Sequence, residues 1–215
     1  MSLETPTSLF ASIRNGAISL GLFAVVTAAA ISLTYVAGSD SIAANKAAAR
    51  ASALSTVMPA QFYDQSLLSE PRSLIDSAAL NLPPEALAYA AVKLGSTQAI
   101  VLPVIAKDGY SGDISLLIGI DKQGFIQGVR TIEHQETPGL GDKVERKKSS
   151  WIDSFNGRSL ANTPASDWAV IKDGGVFDGF TGATITPRAV VKAVYQGLIY
   201  HERQRRSLYA LAEEN

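Results

Sequence analysis

A chain of 215 residues has room for one ordinary domain and an attachment segment. With 47% hydrophobic and 18% charged residues it is a folding chain, and its net charge of −1 leaves no footprint for nucleic-acid binding. The absence of cysteine excludes a disulfide scaffold, a thiol nucleophile and a thiolate-held cluster, and with only His134 and His201 no histidine-rich metal site is expected.

Taken from the N-terminus, no charged residue occurs between Arg14 and Asp40. Within that gap, AISLGLFAVVTAAAISLTYVAG is apolar enough to span a hydrocarbon core of roughly 30 Å as a helix, with every backbone group satisfied internally. Val36-Ala37-Gly38 could pass for a signal-peptide cleavage site, but a signal core has about 7–15 apolar residues and this one is longer. The reading is therefore 1–14 as a cytoplasmic N-terminus, 15–38 as a single transmembrane anchor, and 39–98 as a juxtamembrane helix and irregular lead-in. Ala-rich residues 41–57 continue or closely follow the membrane helix, and Met58-Pro59 stops it. Four prolines, Pro59, Pro71, Pro83 and Pro84, leave room for only one or two brief strands or helices in 59–98. The basic residues flanking the anchor, Arg14 on one side against Lys46 and Arg50 on the other, favour a cytoplasmic C-terminal domain by one residue.

From residue 99 the pattern turns to strands. AIVLPVIA (99–106), ISLLIGID (114–121) and FIQGVRTIEH (125–134) are separated by Asp108-Gly109-Tyr110-Ser111-Gly112 and Lys122-Gln123-Gly124, which predicts an antiparallel meander. In the third strand Ile126, Gly128, Arg130 and Ile132 alternate with Gln127, Val129, Thr131 and Glu133. A short helix ending at Gly157 is expected over 149–157, and a strand pair around Asp173-Gly174-Gly175 over 168–180. Beyond Pro187, Val190, Val194 and Leu198 fall at helical spacing with Val191 and Tyr195 beside them. This helix should be capped by Thr186, begin with Pro187 and run to about Leu211. The fold class is α+β: a small antiparallel sheet with packed helices, preceded by one N-terminal transmembrane helix.

Two stretches carry chemistry. In DGFTGATITP (178–187), Thr186 suffices to cap the helix, so Thr181 and Thr184 are surplus to it. Free N–H groups and the helix dipole at that point favour an anion, and Gly182 permits close backbone approach. In HQETPGLGDK (134–143), Pro138-Gly139 signals a turn and Gly141 adds a second permissive position. Glu136 and Thr137 could hydrogen-bond a planar ligand laid against the loop. His134 with Glu136 lacks the third ligand that a metal site needs. No base–nucleophile pair is present, so no residue is assigned a catalytic role.

HQETPGLG followed some forty residues later by DGFTGAT resembles the FMN-binding domain of the RnfG (RsxG) subunits of Rnf electron-transport complexes, relatives of the NqrC subunits of sodium-translocating NADH:quinone reductases. The anchor, the GYSG turn, the Trp151 segment and the TP-initiated last helix match as well. The likeness is loosest over 39–98. It implies an FMN-binding domain over 99–215 whose FMN is joined by its phosphate to Thr184, the last threonine of TGAT, by a separate flavin transferase that recognises Asp178 and Thr181. It further implies a cofactor-binding set of Glu136, Thr137, Gly139, Leu140, Gly141, Thr181, Gly182 and Ala183, partnership with the other membrane subunits of the complex, and a periplasmic domain held at the bacterial inner membrane. That topology opposes the one-residue charge margin. The activity implied is electron relay within a complex coupling ferredoxin and NAD redox chemistry to ion transport. An NqrC-like role, or a flavin-free membrane-anchored scaffold, are the alternatives.

Overall fold

The computed structural model describes residues 6–64 and 71–210. Parts of the N-terminal stretch (1–5) and of the lead-in (65–70), and the expected helix limit at Leu211, lie outside the described residues. The chain divides into two compact units, Met1–Ala48 and Ala49–Asn215.

The first unit is helical throughout its described length and belongs to helix α1, Pro6–Val57. Its apolar run, Ala11–Ser39, has 29 residues and a mean hydropathy of 2.1. At 1.5 Å per residue this is roughly 43 Å, longer than a hydrocarbon core of about 30 Å. The hydroxyls of Thr27 and Thr34 each bond the carbonyl four residues earlier, Phe23 and Ala30, at 2.8 Å. These two hydroxyls are thus satisfied within the helix, while Leu20, Phe23 and Leu33 are exposed along it, as suits a membrane solvent.

The second unit opens with the last turns of α1. The helix stops at Val57, because Pro59 disfavours helical backbone at Met58. A five-stranded antiparallel sheet follows in simple order: β1 (Pro71–Ser73), β2 (Leu87–Lys93), β3 (Ser96–Ala106), β4 (Ile114–Asp121) and β5 (Ile126–Glu133). The meander of β3 to β5 lies where its turn residues predict it. The sheet also extends upstream of residue 99: β1 and β2 come from 59–98, the stretch read as irregular with one or two brief strands or helices.

Alternating residues of β3 and β4 divide between two faces. Ile100, Leu102, Val104, Leu116, Ile118 and Ile120 join the main core beneath helix α2 (Ile185–Tyr209), where Val190, Val194 and Leu198 are buried. Each such side chain contributes about 1.5–3 kcal/mol on burial. Gly197 lets the helix lie close: a Cβ there would stand 2.6 Å from the Ile118 Cδ1. On the other face Val101 and Leu117 pack against Leu54, Val57 and Met58 at the end of α1. The alternation expected in β5 breaks at two places, at Ile132, between Glu133 paired with Ser115 and Thr131 paired with Leu116, and at Gln127. Ile126 pairs with Ile120 but Gly128 pairs with Gly119, so Gln127 is an extra, bulged residue. Ile126 and Val129 therefore share the main core, while Gly128 faces Val57.

One further expectation is corrected. Residues 168–180 form no strand pair; the segment coils, with a 3-10 turn at Ile171–Asp173 and one isolated parallel bridge from Val170 to Phe177. Gly174 sits at φ +89°, and Gly175 lies so close to Ala169 that a Cβ would be 2.0 Å from its carbonyl oxygen, too sharp a return for an antiparallel ladder. The 149–157 helix is a 3-10 helix, Ser150–Phe155, with Ser149 Oγ accepting the Trp151 N–H at 3.1 Å and Gly157 at φ +74° beyond its end. Aromatic stacking holds this coil to the core: Phe155 on Phe177, 4.6 Å between centroids, and Trp168 on Tyr195, 5.5 Å.

Near the end of α2, His201 is 1% exposed and its Nε2 lies 3.0 Å from the Tyr209 hydroxyl. Burial, and then Arg205, push its pKa down to about 4. Unfolded, the imidazole takes a proton near its ordinary 6.5, which the folded form refuses until about 4. Stability should therefore fall by about 3 kcal/mol as pH drops through that window. Urea titrations of the detergent-solubilised chain at pH 7 and pH 4.5 check this, and His201→Gln should show a smaller difference.

Candidate functional site

The two motif stretches meet at the start of α2. The loop after β5 turns at Thr137, whose carbonyl accepts the N–H groups of Leu140 (3.1 Å), Gly141 (3.1 Å) and Asp142 (3.4 Å). Gly139, at φ +80°, gives its N–H to Asp142 Oδ1 at 2.8 Å, so the 3-10 turn Gly141–Val144 locks the loop from behind. Leu140 is left 42% exposed and reaches across to the second motif, where a Cβ on Gly182 would lie 3.3 Å from its Cδ2. Gly182 has φ +83°, in the middle of TGAT.

The 178–184 stretch is held from below by the Trp151 segment. The indole N–H of Trp151 donates to the Asp178 carbonyl at 2.8 Å, and its ring meets Phe180 edge-on at 4.9 Å. Asp178 and Thr181 are exposed, and Ala183 is half-buried against the main core. Arg188 forms a two-bond pair with Asp173 at 2.6 and 2.7 Å, tying the coil 171–175 to the first turns of α2. That hydrogen bond and the Arg188 charge hold the Asp173 carboxyl below its ordinary range.

The capping assignment is corrected here. Helix α2 begins at Ile185, two residues earlier than the sequence predicts, and Thr184 occupies the cap position. Pro187 then falls within the first turn, where its missing N–H costs no bond. Thr186 does not cap: it is fully buried and its hydroxyl donates to Glu136 Oε2. Thr184 is exposed and makes no capping bond. No acidic side chain lies in the first turn of α2 itself.

Glu136 is 4% exposed. Besides Thr186, its carboxylate accepts the Ser111 N–H at 2.9 Å, and its own N–H donates to His134 Nδ1 at 3.0 Å. His134 Nε2 lies 2.8 Å from Glu145. Since Nδ1 accepts, the imidazole proton is on Nε2 and points at Glu145. Glu136, Gly141 and Thr186 thus face inward, while Gly139, Leu140, Thr181, Gly182 and Thr184 lie along the surface. Sequence reasoning misses the part played by Gly109 and Ser111; the glycine-rich GYSG turn was its signal. No group of three or more metal-ligating side chains occurs among the described residues.

The residues present fit FMN. An uncapped hydroxyl stands at a helix N-terminus, where an anion is favoured. Leu140, which reaches Gly182, and Ile185, which follows Thr184 in the chain, are 42% and 44% exposed and offer apolar surface. A Cβ on Gly139 would meet nothing within 4 Å, so the loop backbone is open to a ring laid on it.

Comparison with known proteins gives the same class. Residues 109–199 match the FMN-binding domain family, and residues 1–57 match the RnfG N-terminal region. An FMN-binding domain following an apolar helix is therefore the class of protein in hand. Over 202 residues the chain is 42% identical to the G subunit of the ion-translocating oxidoreductase complex of Pseudomonas aeruginosa (strain UCBPP-PA14), covering 94% of each chain. It is 37% identical over 203 residues to the protein of the same name from Aliivibrio fischeri (strain ATCC 700601 / ES114), covering 94% of this chain and 97% of the relative. The chain belongs to this RnfG family. Among solved structures, the crystal structure of Shewanella oneidensis NqrC is similar with a TM-score of 0.46 and 21% identity, over 70% of this chain and 75% of that one.

Proposed function

We propose that this chain is the membrane-anchored electron-transfer subunit of an Rnf-type complex, carrying FMN in phosphoester linkage to Thr184. The observation that carries the reading is the pairing of an exposed, uncapped Thr184 at the start of α2 with Leu140 of the ETPGLG loop against Gly182. When bound, FMN supplies the electron transfer, and the chain's own residues bind and orient it. The N-terminus of α2 receives the phosphate charge. Gly139 and Gly182 would let backbone lie close to the ring, and the exposed apolar side chains of Leu140 and Ile185 would pack beside it. Among the described residues no carboxylate or imidazole is hydrogen-bonded to Thr184, so a separate flavin transferase activates the hydroxyl, with Asp178 and Thr181 exposed as the features it reads. The other membrane subunits of the complex are the electron partners.

Flavin fluorescence that survives denaturation, in full-length chain made beside an active flavin transferase, is the expected result. A dark band from cells in which the transferase modifies a control protein would overturn the reading and leave a flavin-free scaffold.

On this reading the domain lies in the periplasm and α1 spans the inner membrane. The cysteine-free sequence makes this testable with one substitution at exposed Ser166. Ser166→Cys should react with a membrane-impermeant maleimide in spheroplasts. Labelling only after the membrane is broken would put the domain in the cytoplasm, as the Arg14 against Lys46 and Arg50 margin has it.

A further inference from the structure

The ETPGLG motif marks Glu136 as a ring-side ligand, yet its surroundings are those of an internal clasp. Oε1 accepts from the Ser111 N–H at 2.9 Å and Oε2 from the Thr186 hydroxyl, so both oxygens are engaged inside the protein. Two glycines make room for the group. A Cβ on Gly109 would come 3.0 Å from Oε1, and one on Gly141 would come 2.6 Å from Oε2 and 2.9 Å from Thr186 Oγ1. No ion pair to Glu136 is formed among the described residues, but the positive end of α2 lies against it through Thr186. The backbone on its own side is pinned by His134.

The consequence concerns Thr184. Successive helical residues are turned by about 100°, so residues 184 and 186 point about 200° apart. Whatever draws Thr186 inward turns Thr184 outward. Thr186 is 0% exposed and bonded to Glu136, and Thr184 is exposed and uncapped. We infer that Glu136 is a positioning residue: by holding Thr186 in the interior it presents the Thr184 hydroxyl for flavin attachment and fixes the ETPGLG loop to the start of α2. This rests on the reading of Thr184 as the attachment point.

Glutamine can preserve both bonds, with its carbonyl oxygen accepting from Ser111 and its amide donating to the Thr186 oxygen. Serine likewise keeps the hydroxyl at 186. The test uses the full-length chain in four variants, Glu136→Gln, Glu136→Ala, Thr186→Ser and Thr186→Val. Three quantities are measured: denaturation-resistant flavin per chain, flavin midpoint potential, and amide hydrogen exchange over 137–142 and 185–189 in protein made without the transferase. Glu136→Gln and Thr186→Ser should match wild type in all three. Glu136→Ala and Thr186→Val should each lose most of the attached flavin and speed exchange in both segments together by roughly tenfold, as loss of a bond to a charged group predicts. A shifted potential in Glu136→Gln with Thr186→Val unchanged would overturn the inference, because the carboxylate would then act on the flavin itself. Were wild type to carry no flavin, the attachment reading would fall. Exchange would still judge the clasp, and unchanged exchange in Thr186→Val would overturn it.

Discussion

Thr184→Ala should abolish flavin fluorescence that survives denaturation, and Thr184→Ser should retain it. The expected loss is complete because in the proposed linkage the hydroxyl oxygen is itself part of the bond to phosphorus. The three threonines of the segment divide by exposure. Thr186 is 0% exposed and its hydroxyl is held by Glu136, so it cannot take over. Thr181 is exposed, and a residual signal in Thr184→Ala that disappears in the Thr181, Thr184 double alanine variant would move the attachment there. Thr181→Ala alone should lower incorporation while leaving the attachment point at Thr184. In-gel fluorescence normalised to protein, on chain made beside the transferase, separates these outcomes. Thermal melts should be near wild type for every variant, since surface substitutions of this kind usually change stability by no more than about 0.5 kcal/mol.

The second large effect is on stability and spares the flavin. Gly119 and Gly128 face each other across β4 and β5, and the end of α1 rests in the notch they make. A Cβ on Gly119 would stand 2.6 Å from the Val57 carbonyl oxygen, and one on Gly128 2.7 Å from the same atom. The obstruction is backbone, which no rotamer change relieves. Gly128→Val should therefore lift the helix end from the sheet and expose part of the cluster of Leu54, Val57, Met58, Val101 and Leu117. Overpacking of this kind costs about 1–3 kcal/mol, a fall of several degrees in Tm for a chain of this size. A thermal melt in detergent checks it. Because the notch lies on the opposite sheet face from α2, attached flavin per folded chain should be unchanged. A normal Tm in Gly128→Val would show that the helix end is not seated there.

What could be read from the sequence follows from how local its cause is. The meander of β3 to β5 depends on alternating apolar residues and on turns such as Lys122-Gln123-Gly124, all within a few positions of each other, and it appears where those residues put it. The stripe of Val190, Val194 and Leu198 likewise marks the buried side of α2. Local rules failed where a distant partner decided the matter. By propensity Thr186-Pro187 is a cap followed by a first helical residue, but Glu136, fifty residues away in sequence, draws Thr186 inside. The bulge at Gln127 is set by the pairing of Gly119 with Gly128 and by the helix end above them. Asp173-Gly174-Gly175 resembles a hairpin turn, yet stacking of Phe177 on Phe155 pulls the chain into a coil. The motif residues were visible as a group in the sequence. Their division into buried clasp and exposed surface was not, because that depends on which side of the loop meets Ser111 and Thr186.

Peptide mapping shows directly whether FMN is joined to Thr184. Trypsin should release residues 173–188 as one peptide, bounded by Lys172 and Arg188 and holding Thr181, Thr184 and Thr186. This peptide should be the fluorescent one, its mass raised by FMN less water, with fragmentation placing the added mass on Thr184. An unmodified 173–188 peptide from a yellow, denaturation-resistant protein, or added mass on Thr181, would contradict attachment at Thr184.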